Sequence, residues 1–251
     1  MSDIIKKKLV IKELEKRIML DASLGLLASS TVLSENTVNS SPQILDNDVN
    51  VTGTTTDFDG IALDISTDGG ADDQLSINNE GSGAGQIGFD GTNISYEGTL
   101  IGALSSDGTN GSNLTIDLNA LANKISIENL IENITYQNSN DSPTLNRTIN
   151  FALGGLFSEN ITVTIAPIND APVINTNAGM TLNEGATEVM TSAMLGISDA
   201  DNSDSQVTIT ITSALSNGRL ELSTNAGVAI SDFTLDDLNT GKVRYVHDGS
   251  E

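Results

Sequence analysis

Cysteine is absent from the 251 residues, so the chain has no disulfide framework, no zinc–thiolate site and no thiol nucleophile. Tryptophan is also absent, aromatics are 3% and histidine occurs once, as His247. A histidine-based catalytic set is therefore unavailable, and the core must be built from Ile, Leu, Val and Ala. No apolar run approaches the roughly eighteen residues of a membrane span. Basic groups are scarce: 11 against 34 acids, a formal net charge of −23. Six of the eleven lie in residues 1–20, so the remaining 231 residues carry 31 acids and five bases. Such a surface repels nucleic acid and anionic lipid and attracts cations.

What is present changes character along the chain. In residues 1–20, lysines and Arg17 interleave with Ile11, Leu14 and Ile18 at helical spacing, which predicts a short amphipathic helix rather than a cleaved signal. Residues 29–56 are rich in Ser, Thr and Asn and read as lead-in, with a linker over 29–51. From Asp57 the pattern has period two: Ile61, Leu63 and Ile65; Leu114, Ile116 and Leu118; Ile149, Phe151 and Leu153; Ile161, Val163 and Ile165. Gly, Asn and Asp clusters separate these runs, the pattern of an antiparallel sandwich. Ile127, Leu130, Ile131 and Ile134 break step and predict one short helix near 120–132.

Ile165-Ala-Pro-Ile-Asn-Asp-Ala-Pro-Val173 reads as a stiff extended connector, because two of the four prolines lie in it. Beyond it, strands are expected at Met180–Leu182, Val207–Ile211, Leu220–Leu222 and Val243–Tyr245, with a helical turn capped by Thr234 and Asp237 and closed by Gly241. The expected organisation is a targeting-like segment at 1–28, a linker at 29–51, a β-sandwich at 52–168 and a second β unit at 173–251. The second unit stops directly after a strand, as a C-terminally truncated sandwich or a fragment of a longer protein does.

Ile168-Asn-Asp-Ala-Pro-Val173 resembles the inter-repeat linkers of cadherin-like repeats in giant bacterial adhesins, and Asn183-Glu-Gly185, Ile197-Ser-Asp-Ala-Asp-Asn-Ser-Asp204 and the run from Phe233 to Glu251 resemble, in order, the chondroitin-sulfate-proteoglycan type of cadherin-like repeat. Asp57-Phe-Asp-Gly60, Gly70–Leu75 and Ile134–Asn138 resemble another repeat of the same giant proteins. Leu14–Ser23 resembles the LEPR-XLL targeting segment of long secreted bacterial proteins, with Lys16 at the motif's proline and Met19 at one of its leucines. The implied fold is all-β: tandem Ig/cadherin-like antiparallel β-sandwiches preceded by a short amphipathic N-terminal helix.

Asp199-Ala-Asp201 with Asp204 is the leading metal candidate, since alternate acids leaving a strand converge and calcium needs six to eight oxygens. An EF-hand is excluded: Ser203 takes the fifth position, Asp204 replaces the glycine and Thr210 the closing glutamate. The resemblance implies a junction site to which Glu184, Asn169, Asp170 and Asp248 add ligands, with Asp57 and Asp59 as the equivalent cluster in the first unit. Asp72 and Asp73 read as surface-loop residues. Gly83-Ala-Gly-Gln-Ile-Gly88 has dinucleotide-loop spacing but leads into a strand pattern, so it reads as a turn. His247 reads as a structural residue of the last strand.

These features predict a non-enzymatic, calcium-binding adhesion module of a secreted or cell-surface protein. Its tandem repeats would form a stalk stiffened by Ca2+ and adjoin further repeats of a larger chain. The partner is an unnamed cell-surface or matrix molecule, with neither nucleic acid nor a membrane span involved. The alternative is a set of spacer or carbohydrate-binding domains of a larger extracellular enzyme, against which the lack of aromatic platforms counts.

Overall fold

An apolar row of period two becomes a strand where a second layer exists to cover it. A computed structural model of the chain describes residues 21–250. The helix expected over 1–20 and most of the targeting-like segment lie outside the described residues. Strand accounts for 43% of the structure and helix for 10%, as an all-β chain requires. The chain divides at the connector into two compact units, Met1–Ile168 and Asn169–Glu251.

The first unit contains β1 (Ala22–Gly25), β2 (Ser30–Ser34), β3 (Gln43–Ile44), β4 (Asn50–Gly53), β5 (Ala62–Thr67), β6 (Asp73–Ile77), β7 (Ile87–Phe89), β8 (Asn93–Tyr96), β9 (Thr99–Asp107), β10 (Leu114–Leu118), β11 (Ile134–Asn138), β12 (Asn146–Leu153) and β13 (Phe157–Ala166). Eight of them form one sheet in the order β2-β13-β12-β5-β10-β9-β8-β7, with β3-β11-β6 and β1-β4 as smaller sheets. Register sets apolar rows across the large sheet: Ile116, Leu63, Leu153 and Phe157 in one, Leu114, Ile65 and Phe151 in the next. Leu75 opposite Tyr136 and Ile77 opposite Ile134 supply the facing layer. All belong to one hydrophobic cluster of 30 buried residues. The helix Lys124–Glu132 closes it with Ile127, Leu130 and Ile131. That helix starts later than the expected 120, because Asn123 and Ser126 cap each other's backbone amides there.

Two expectations need correction here. Residues 29–51 are not a linker: they form β2, the helix Glu35–Ser40, β3 and the start of β4, and they bury Val38, Leu45 and Val49. At the end of the segment, the Val51 amide donates to Glu128 Oε2 at 3.0 Å. The segment holds few apolar residues, but Val38, Leu45 and Val49 are buried while Val32 and Ile44 stay exposed, so composition understated its role. Asp73 is not a surface residue: it is fully buried, and Arg147 Nε reaches its carboxylate at 2.8 Å. Tyr136 Oη and Asn138 Nδ2 donate to it as well. Burial, then the Asp73 hydrogen bond, pushes the Tyr136 phenol well above its ordinary range. Gly69 is required beside this network, since a Cβ there would lie 1.3 Å from Asp73 Oδ2.

The second unit contains β14 (Val173–Asn177), β15 (Thr187–Val189), β16 (Leu195–Ser198), β17 (Thr208–Thr210), β18 (Gly218–Leu222), β19 (Asp232–Thr234) and β20 (Val243–His247). They pair as β14-β16, β15-β20-β18 and β17-β19 around six buried residues: Val207, Leu220, Phe233, Leu235, Leu238 and Val243. Thr234 and Asp237 cap the short helix Leu235–Asn239 reciprocally, and Gly241 follows it with φ 68°. Met180–Leu182 is not a strand; the chain pairs only from Thr187, where β20 offers an edge.

Candidate functional site

The connector is held from both of its ends by carboxylates, each within its own unit. In the first unit, the Ile168 amide donates to Glu35 Oε2 at 2.7 Å. Glu35 is fully buried, at the start of the helix Glu35–Ser40. In the second unit, the Asp170 amide donates to Asp201 Oδ2 at 2.7 Å. The Asn169 side-chain amide turns onto the Asp170 carbonyl, also at 2.7 Å.

Asp201 is positioned by Asp199. As the chain leaves β16, Asp199 Oδ1 accepts the amides of Asp201 and Asn202, at 3.0 and 2.8 Å. This local hydrogen bonding turns the backbone back on itself, as aspartate does readily. It leaves Asp199 Oδ2 buried, with no hydrogen-bond partner. Two other buried side-chain oxygens are in the same condition, Glu35 Oε1 and Asn39 Oδ1, one helical turn apart in the first unit. A buried carboxylate oxygen without a donor costs free energy that a proton, a water or a cation can offset.

No cation of the second unit fills that role at Asp199. Its twelve acids face three bases, Arg219, Lys242 and Arg244. Both arginines close on Glu221, at 2.9 and 2.6 Å, and Lys242 lies on Asp236 and Asp237. The Gly227 amide, followed by these two guanidiniums, holds the Glu221 carboxyl below its ordinary range.

The other predicted ligands are dispersed. Asp204 turns to Asn239, whose Nδ2 donates to it at 2.8 Å. Asp248 is exposed and accepts from the Ser250 hydroxyl and amide, which lower its carboxyl below the ordinary range. Exposed Glu184 precedes Gly185, whose amide donates to His247 Nδ1; Gly249 donates to the same nitrogen, so His247 fastens a loop to β20. In the first unit, Asp57 and Asp59 are exposed on either side of buried Phe58. The Asp59 amide donates to Asp57 Oδ1 at 3.1 Å, and neither carboxylate is stranded. Among the described residues, no three Asp, Glu or His side chains gather closely enough to hold a metal between them.

The donor set nevertheless fits calcium in kind at Asp199 and Asp201. The available donors are oxygens, one of them stranded; the Asn202 side chain and backbone carbonyls adjoin them in sequence, and Asn169 precedes Asp170, whose amide Asp201 holds. Asp57 and Asp59 show no such vacancy of bonding. Glu35 and Asn39 escaped sequence reading, since only the fold buries them. The glycine-rich 83–88 segment is a turn that opens β7, with the Gly83 amide donating to Gln86 Oε1.

Residues 172–251 match the family model described as cadherin-like. Over 85 residues, 34% of this chain, the sequence is 36% identical to Extracellular matrix protein 3 of Lytechinus variegatus. It is 33% identical over 92 residues, 37% of the chain, to the human Extracellular matrix organizing protein FRAS1. It is 36% identical over 90 residues, 36% of the chain, to human Chondroitin sulfate proteoglycan 4. The match covers only 3%, 2% and 4% of those relatives. Two of these relatives carry extracellular-matrix names and the third is a proteoglycan; none is named as an enzyme. No helix among the described residues is long and apolar enough to cross a membrane.

Proposed function

We propose that the chain is a calcium-binding structural and adhesion module of a secreted or cell-surface protein of the giant bacterial adhesin type. The observation that carries this reading is the stranded Asp199 Oδ2, in a loop whose Asp201 holds the connector. Asp199 and Asp201 would hold the ion, with Asn169 and Asn202 beside them. Calcium supplies two positive charges where the unit's own bases are engaged elsewhere. Asp199 orients Asp201 through the two amides on Oδ1, and Asp201 keeps Asn169–Asp170 against the second unit. In a stalk of such repeats, a loaded loop stiffens the chain just where it enters the repeat. Adjacent repeats of a longer chain and a matrix or cell-surface molecule are the partners this reading implies.

The test is thermal unfolding of the full chain in EDTA, in millimolar magnesium and in millimolar calcium. Extracellular calcium modules bind at about 10⁻⁴–10⁻³ M, so millimolar calcium should add about 0.5–1.5 kcal/mol to the second unit. That gain should vanish in Asp199→Asn and be absent with magnesium. A midpoint indifferent to calcium would sink the reading and leave the acids as solubilising groups.

A further inference from the structure

The eight-stranded sheet has two edges, and they are treated differently. At β7 the outward amides of Ile87 and Phe89 donate to Glu80 Oε2 and Asn79 Oδ1, each at 3.1 Å, and the Ile87 carbonyl accepts from Glu80 and Gly81. That edge is closed by its own preceding loop, one of the ways proteins keep strand edges from pairing with other chains.

Among the described residues, the β2 edge is open. β2 runs parallel to β13, with Ser30 beside Thr162 and Val32 beside Thr164. The Thr162 amide donates to the Ser29 carbonyl at 3.0 Å, which sets the phase. In a parallel ladder, alternate residues then face β13, so the amides and carbonyls of Ser30 and Val32 and the amide of Ser34 point away from the sheet, while the Ser34 carbonyl starts the helix Glu35–Ser40. Among the described residues no strand or side chain takes the Val32 groups. Val32 is 68% exposed. The usual safeguards are missing: Ser30-Thr-Val-Leu-Ser34 has no charge, no proline and no bulge. In a chain of net charge −23, nine consecutive residues from Leu26 to Ser34 carry none.

We propose that β2 is a self-association edge, pairing antiparallel with β2 of a second copy about a two-fold axis at Val32. The phase is self-complementary: Val32 meets Val32 and exchanges both hydrogen bonds, and the Ser34 amide of each copy meets the Ser30 carbonyl of the other, the Ser34 carbonyl being taken by the helix it caps. Such an interface is isologous and closes as a dimer. A second copy fits better than a foreign acidic partner would, because the uncharged strand is a place where two like-charged chains meet without opposing carboxylates. Five paired residues bury far less than the ~800 Å² per partner of a standard interface. The dimer is therefore weak, with Kd on the order of 10⁻⁵–10⁻⁴ M, and tightens as salt screens the two bodies. Multiple weak edges on neighbouring molecules suit a surface-displayed chain, where local concentration is high.

Sedimentation equilibrium of the full chain from about 1 µM to about 1 mM, at low and high salt, tests this. The expected result is a monomer–dimer equilibrium that strengthens with salt. Val32→Pro removes only an outward amide, and Val32→Lys places a charge on the outer face; each should weaken the dimer at least about tenfold. Val32→Thr should preserve it. Circular dichroism identifies which variants are folded. A monomer at all concentrations, or a dimer that a folded Val32→Lys leaves intact, overturns the proposal.

Discussion

The two units solve the same problem with different means. The first buries 30 apolar residues in one cluster, the second six. Smaller units bury a smaller fraction of their surface, so more of their stability must come from turns, caps and ion pairs. The polar groups follow suit. Asp73 and Arg147 pair inside the first unit with almost no access to water, whereas Glu221, itself buried, is met by Arg219 and Arg244 side chains that stay partly exposed. Aspartate turns show the contrast in miniature. Asp57 and Asp199 both fold the chain back onto their own carboxylates, but Asp57 serves to place Phe58 in a core and Asp199 is left with a stranded oxygen. Both units leave buried oxygens without a partner, Glu35 Oε1 and Asn39 Oδ1 on a helix of the first and Asp199 Oδ2 in the second, where the stranded group lies in a loop that a ligand can reach.

The strongest way to break this comparison is Asp73→Asn, which leaves Arg147 charged without its carboxylate. Equilibrium denaturation should show a loss of about 3–5 kcal/mol, with hydrogen exchange rising in β6, β11 and β12 and not in β18 or β20. Leu45→Ala asks whether the segment of linker composition belongs to the core. It should cost about 2–5 kcal/mol, where a true linker would show almost nothing.

Acid and base should then discriminate between the units. Glu221 has a lowered folded pKa, so its contribution is present above the unfolded carboxyl value of about 4.3 and is lost as pH falls through the folded one. Tyr136 is shifted upward, so its contribution is present below the unfolded phenol value of about 10 and is lost as pH rises beyond it. Exchange protection should fade in β18 and β20 on the acid side and in β6 and β11 on the alkaline side. The smallest effect should come from Thr234→Ala, which removes a cap and costs about 0.5–2 kcal/mol, confined to the second unit.

Legibility in the sequence depended on the range of the interaction. The helix at Lys124–Glu132 and the Thr234–Asp237 cap were readable, because spacing and capping act over three or four residues. The partners of Asp73 lie 63 to 74 residues away, and Glu35 meets Ile168 across 133 residues. No local pattern announces such pairs. Ser/Thr/Asn-rich stretches such as 29–51 misled because burial of Val38, Leu45 and Val49 depends on what covers them.

By itself the sequence determined the predominance of strand, the break at the proline-bounded connector, the acidic field and the lack of any thiol. Period, composition and charge are properties of the chain before it folds, so these needed no coordinates. Only the tertiary structure decided which carboxylates are satisfied and which are stranded, and which sheet edge is closed and which is open. Those are questions about what lies beside a group in space, and the answers come from residues far away along the chain.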